Sequence, residues 1–146
     1  MPFFHDSTVR KSLRARVESL MPDSPRRWGK MTVDQMLWHV NEALSVAIGE
    51  VTVPPQPRNM PAPLLKFLVL NVPWPKSAPT HPSFVAGQRH DFASEKARLL
   101  RLVDAFCGKS IESSWPDSPT FGPVDGRFMS RLQAKHLDHH LKQFNA

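Results

Sequence analysis

Tyrosine is absent from this 146-residue chain, glycine occurs only six times, and cysteine once, at Cys107. A single cysteine excludes an intrachain disulfide and a cysteine-rich zinc finger. No Gly-x-Ser-x-Gly elbow, phosphate-binding glycine loop or dinucleotide fingerprint is present. The longest apolar stretch, Leu64 to Val72, is interrupted by Lys66 and is far too short to span a bilayer. The opening Met1-Pro2-Phe3-Phe4-His5-Asp6 lacks a basic start, an apolar stretch and a small-residue cleavage site, so no signal peptide is read and a cytoplasmic location is expected. Alternating strand patterns are missing too. Val51-Thr52-Val53 is too short to found a sheet.

What is there suits one globular domain over residues 1–146, with 40% hydrophobic and 22% charged residues in 16.6 kDa. Such a chain can bury a core without disulfides. The formal charge is +6, and residues 1–30 carry seven basic side chains against three acidic ones. That excess suits an anionic partner, yet a solvated helix face is the simpler reading, and no nucleic-acid motif accompanies it.

Proline is abundant: nine of fifteen lie between Pro54 and Pro82, where neither a helix interior nor a central strand can accommodate them. Helices are expected around this segment. The first runs from Asp6 or Ser7 to Met21, with Val9, Leu13, Val17 and Leu20 at steps of three and four, and Pro22 stops it. The second opens with a capping box, Thr32-Val33-Asp34-Gln35, carries Met36, Leu37, Val40, Leu44, Ala47 and Ile48 on one stripe, and stops at Gly49. A short apolar helix, Pro61 to Leu70, sits inside the proline-rich connection. A further long helix runs from Asp91 or Ser94 to Gly108, burying Phe92, Leu99, Leu102, Val103 and Phe106. After a Ser/Pro/Gly-rich loop, 110–123, the last helix covers Val124 to Phe144. Four amphipathic helices must bury their stripes against each other, which predicts an all-α four-helix bundle with a long crossover in the middle.

Chemistry concentrates in Lys135-His136-Leu137-Asp138-His139-His140, with three of the seven histidines in five residues. Residues three or four apart share a helix face, so spacing alone allows His136 to pair with either neighbour. The apolar direction of this helix lies at about 130° from Phe128, against about 120° for His140, about 80° for His136 and about 20° for His139. The inward pair is therefore His136 and His140. Two imidazoles make a weak metal site, and His39, beside the apolar stripe of the second helix, is the best third donor. A hydrogen-bonded core histidine is the competing reading of His39, and an exposed helix end that of the cluster. His5, His81 and His90 receive no role. Cys107, at a helix C-terminus, reads as a structural thiol.

Two segments, Met31-Thr32-Val33-Asp34-Gln35-Met36-Leu37-Trp38-His39-Val40 and His136-Leu137-Asp138-His139-His140-Leu141-Lys142-Gln143-Phe144, resemble the DinB-like (YfiT-like) superfamily of metalloproteins, as does Phe92-x2-Glu95-Lys96-x-Arg98-Leu99. The resemblance implies a four-helix bundle holding a divalent ion, zinc, nickel or iron, on three histidines, here His39, His136 and His140. It also implies a metal-dependent hydrolase or a thiol-dependent S-transferase, without selecting between them. A non-catalytic, stress-related helical module with a structural histidine site is the alternative, and no catalytic residue is assigned. The expected partners are a small-molecule substrate and a second copy of the chain, with neither a membrane nor nucleic acid among them. Phe67, Trp74 and Phe84 are expected to wall a pocket above the metal, unless the proline-rich segment is simply a rigid cover.

Overall fold

Every helix but the one entered through Pro61 begins where the sequence supplies a side-chain acceptor for a free amide. In the computed structural model, which describes residues 2–78 and 80–146, Asp6 accepts from the Thr8 and Val9 amides at 2.9 and 3.2 Å and starts α1 (Ser7–Glu18). The Thr32 capping box starts α2 (Val33–Ala47), its Gln35 side chain accepting from the Thr32 amide at 3.0 Å. Pro61 precedes α3 (Ala62–Asn71), and His81 opens a single 3-10 turn at Pro82–Phe84. Asp91 caps α4 (Phe92–Gly108), and Asp125 caps α5 (Gly126–Gln143) by accepting from Phe128 at 2.8 Å. That cap starts α5 two residues later than its apolar pattern suggests.

α1 is shorter than its stripe. It ends at Glu18, because Pro22 restricts Met21 and the carbonyls of Glu18 and Leu20 accept from the Lys96 ammonium at 2.7 and 3.0 Å. α2 ends on Gly49, whose φ of 84° turns the chain in a region other residues rarely adopt.

The described residues are all-helical, with no strand beyond one isolated bridge between Ser118 and Gly122. No helix among them is long and apolar enough to cross a membrane. α1 packs against α4 and α5, α2 packs against the same two, and α3 lies on α5. The core between them holds Leu13, Val17, Met36, Leu37, Leu99, Leu102, Phe106, Leu137 and Leu141, all but sealed from water. Burying each such leucine contributes roughly 2 kcal/mol. Ion pairs stitch the outer surfaces: Arg14 to Asp104, Arg16 to Asp138, and Arg98 to Glu42 and Glu95.

The proline-rich segment wraps one side of α2 and α5, with Pro79 outside the described residues. His81 staples its two ends, donating from Nε2 to the Pro54 carbonyl at 2.9 Å and accepting at Nδ1 from the Ser83 amide. This buried histidine, to which the sequence assigned no role, thus has a structural one.

Gly126, the first residue of α5, is pressed onto the Ile111 carbonyl and the Trp115 indole, leaving no room for a Cβ. Helix propensity favours alanine there by about 1 kcal/mol, but overpacking against backbone costs about 1–3 kcal/mol. Gly126→Ala should therefore lose stability in urea unfolding; a gain would show that the 110–123 loop yields freely.

Candidate metal centre

α2 and α5 carry their histidines to one place. His39 is buried on α2, and His136 and His140 follow each other on the face of α5 that meets it. One ring nitrogen from each lies within 4.8 Å of the other two. The Nε2 atoms of His39 and His136 are 2.9 Å apart. The three ring centroids are separated by 4.7–4.9 Å, each pair edge to face. The group can hold a metal ion.

Hydrogen bonds outside the cluster decide which nitrogens are free. His39 Nδ1 lies 2.6 Å from the Phe84 carbonyl, which can only accept, so Nδ1 carries the proton and Nε2 keeps its lone pair. His140 Nδ1 lies 2.9 Å from Gln143 Oε1, while Gln143 Nε2 donates to the Trp28 carbonyl at 3.0 Å. That second bond fixes the amide orientation, so Oε1 faces the ring and His140 Nδ1 must donate. Both rings therefore turn an unprotonated Nε2 inward, the arrangement that metal-ligating histidines adopt when an outer acceptor fixes their tautomer. With His39 Nε2 unprotonated, its 2.9 Å contact with His136 Nε2 is a hydrogen bond donated by His136, and a bound ion would take the place of that proton. The donor set fits a divalent ion.

The electrostatics agree. Burial pushes the pKa of all three rings down; His140 and His39 further oppose a positive charge on His136, and His39 opposes one on His140. His140 falls to about 3, with the His39 ring the next cause after burial. At neutral pH the cluster is three uncharged imidazoles, the form that coordinates.

His139 stays out of the group. Its ring sits between Trp28 and Trp74, at centroid distances of 5.7 and 5.4 Å. Asp138 points the other way, into the Arg16 and Lys142 pairs. Cys107 lies away from the cluster; burial lifts its thiol to about 11, consistent with a structural role.

Beside the histidines opens a cleft of about 1330 Å³, bounded by α2, α5, α3 and the proline-rich segment. Trp74 and Phe84 line it as expected. Phe67 does not: it is 61% exposed on the outer side of α3, and Leu65 and Val69 face the cleft instead. Trp74 is held by its indole N–H on the Val69 carbonyl at 2.8 Å. The segment is thus both cover and wall.

Several contributors were not singled out from sequence. Gln143 sits three residues after His140, a spacing that could have marked it, whereas the Phe84 carbonyl and the Trp28 turn carry no sequence signal. Gly29, with φ of 84°, brings that turn so close to Gln143 Nε2 that a Cβ would collide with it. His90, another histidine without an assigned role, stacks on Trp38 at 5.0 Å. Comparison with protein-family models, with curated proteins and with solved structures gave no match.

The chain leaving Phe84 is tied down by Asp34 on α2. Its buried carboxylate accepts from Arg89 at 2.9–3.2 Å and from the His90 amide at 2.8 Å. Burial alone would raise its pKa, but these bonds outweigh it and hold the carboxyl well below the usual carboxylate range. Because the folded pKa is lowered, the contribution to stability is present above about pH 4 and is lost as pH falls towards the folded value. Asp34→Asn should cost on the order of 1–3 kcal/mol at neutral pH. In denaturant titrations that deficit should narrow below about pH 4; a deficit constant with pH would contradict the assignment.

Proposed function

We propose that the chain is a DinB-like four-helix-bundle protein, formed by α1, α2, α4 and α5, that binds one divalent ion through His39, His136 and His140. The observation that carries this is the pair of outer hydrogen bonds, from His39 to Phe84 and from His140 to Gln143, which leaves inward lone pairs on a buried, uncharged cluster. The face arithmetic selects His136 and His140, and the family resemblance adds His39 to the same pair. Imidazole ligands suit zinc, nickel or iron.

We further propose a metal-dependent enzyme of the hydrolase or thiol S-transferase kind. When bound, the ion would supply a Lewis acid that lowers the pKa of a coordinated water or thiol. The chain's own contributions can be assigned. The three histidines hold and orient, leaving the side towards the cleft open, as a site with only three protein ligands does. Phe84 and Gln143 keep the tautomers correct. Trp74 and Phe84 exclude bulk water from the cleft wall above the histidines. The core is apolar and continuous without the ion, which favours the open-site reading over a structural one.

Zinc titrated into chelator-treated protein should bind at about one ion per chain. His39→Ala, His136→Ala and His140→Ala should each abolish binding, whereas His139→Ala should keep most of it. Gln143→Leu should weaken it about 10- to 100-fold, as loss of an outer hydrogen bond does. Chelation should leave the far-ultraviolet dichroism nearly unchanged. Equal loss from His139→Ala would mean the face is misassigned, and unfolding on chelation would make the site structural.

A further inference from the structure

The composition of α3 does not match its surroundings. Apart from Lys66 and Asn71 it is apolar all round, a pattern that belongs to a helix covered on every side. Its inner side is covered, with Leu65 and Val69 facing the cleft beside α5. Its outer side is bare. Leu64 is 48% exposed, Phe67 61% and, at the C-cap, Val72 46%. These three are grouped here, whereas the other large apolar side chains so exposed among the described residues, Met21 and Val85, stand elsewhere in the chain. Of the two polar residues, Asn71 turns its Nδ2 onto the Phe67 carbonyl at 2.8 Å, and Lys66 reaches sideways to the Pro123 carbonyl. A contiguous apolar patch on a protein surface marks a place where something docks.

The charge around α3 says what that is. None of the 13 aspartates and glutamates lies between Glu50 and Asp91, whereas Arg58, Lys66, Lys76 and Arg89 do. Arg89 is paired with Asp34, but the other three are in no ion pair among the described residues. They are strung along the helix: Arg58 by Gly122 before its start, Lys66 on it, and Lys76 over the Trp28 ring beyond its end. Lys135 adds an ammonium at the C-terminal end, donating to the Val69 and Val72 carbonyls. On the loop that meets the start of α3, Glu112 is paired with Arg127 and Asp125 caps α5, while Asp117 lines the cleft. Cations spread over the length of a helix do not converge on one compact ligand; they complement an extended anionic surface. A second copy of the chain is a poor cover, because a two-fold contact would set these cations against themselves. The flanks also suit lipid. Pro57, Pro61, Pro63, Pro73 and Pro75 have no N–H to leave unpaired at an apolar boundary.

We propose that the outer face of α3 docks on an anionic lipid bilayer, with Leu64, Phe67 and Val72 entering the boundary between headgroups and acyl chains and Arg58, Lys66 and Lys76 meeting lipid phosphates. A helix of 10 residues is too short to cross a bilayer and long enough to lie in its surface. The expectation of no membrane partner rested on the lack of a spanning segment, which this contact does not need. The proposal goes beyond the metal reading and does not depend on it. It makes α3 a lipid contact on one side and a wall of the cleft on the other.

The full chain, with chelator present, is sedimented with vesicles of phosphatidylcholine alone and with vesicles containing about one third phosphatidylserine, at low ionic strength. The anionic vesicles should bind it about 10- to 100-fold more tightly, since each basic residue near such a surface contributes about fivefold. Arg58→Gln, Lys66→Gln and Lys76→Gln together should erase that preference. Leu64→Ser with Phe67→Ser should weaken binding to the anionic vesicles about tenfold and leave the thermal midpoint unchanged, because both side chains are exposed. Should either variant fail to fold, the other still decides. No binding by the parent chain, equal binding to both vesicles, or a preference that survives loss of the three cations would overturn the proposal. So would a folded Leu64→Ser, Phe67→Ser chain that binds as the parent does, the mark of charge attraction without insertion. Self-association that the same two substitutions abolish, with vesicles left unbound, would overturn it in favour of a second copy. Binding to polyglutamate as tight as to the anionic vesicles would overturn it in favour of an acidic protein. Zinc binding reads on none of these arms, so their failure leaves the metal reading standing.

Discussion

Two hydrogen bonds set the chemistry of this molecule: His39 to the Phe84 carbonyl and His140 to Gln143. Buried imidazoles with unconstrained rings could present either nitrogen, and a cluster of them would have no defined donor face. Here each outer acceptor is fixed by a separate part of the chain. Phe84 belongs to a turn opened by His81, and Asp34 ties the following chain to α2. Gln143 is oriented by the Trp28 carbonyl across a turn that only Gly29 allows so close. Connections far apart in sequence thus converge on one set of lone pairs.

The same arrangement explains why a proline-rich connection is worth its length. Without donors for a regular ladder, prolines suit a segment that runs over the surface and makes a few specific contacts. It supplies the Phe84 carbonyl, the Trp74 wall and the short α3, and it leaves a cleft between itself and the two histidine-bearing helices. The core on the far side, built on Leu99, Leu102, Phe106 and Leu137, is rigid enough to hold α2 and α5 in place without help from the site.

How much of this was legible depended on periodicity. α2 and α5 are strongly amphipathic, so the apolar arc of α5 placed His136 and His140 inward and left His139 at the border, while that of α2 put His39 beside its stripe. Caps were readable too, except where Asp125 rather than the apolar pattern fixed the start of α5. α3 was the opposite case. Apart from Lys66 and Asn71 it is apolar all round and has no fully buried residue, so its sequence names no inward face, and Phe67 was assigned to the cleft when it faces water. Segments without periodicity hid the rest. The Trp28 turn, the His81 staple and the Phe84 carbonyl act through backbone groups and long-range contacts that no spacing announces.

The claim on which the account rests is the protonation of Nδ1 in two histidines. Long-range nitrogen–proton correlation spectra of the chelator-treated protein at neutral pH read each ring's tautomer directly. His39 and His140 should both appear as neutral Nδ1–H tautomers, and on adding zinc their Nε2 resonances should shift while Nδ1 stays protonated. An Nε2–H tautomer in either ring, or zinc shifts confined to Nδ1, would contradict it.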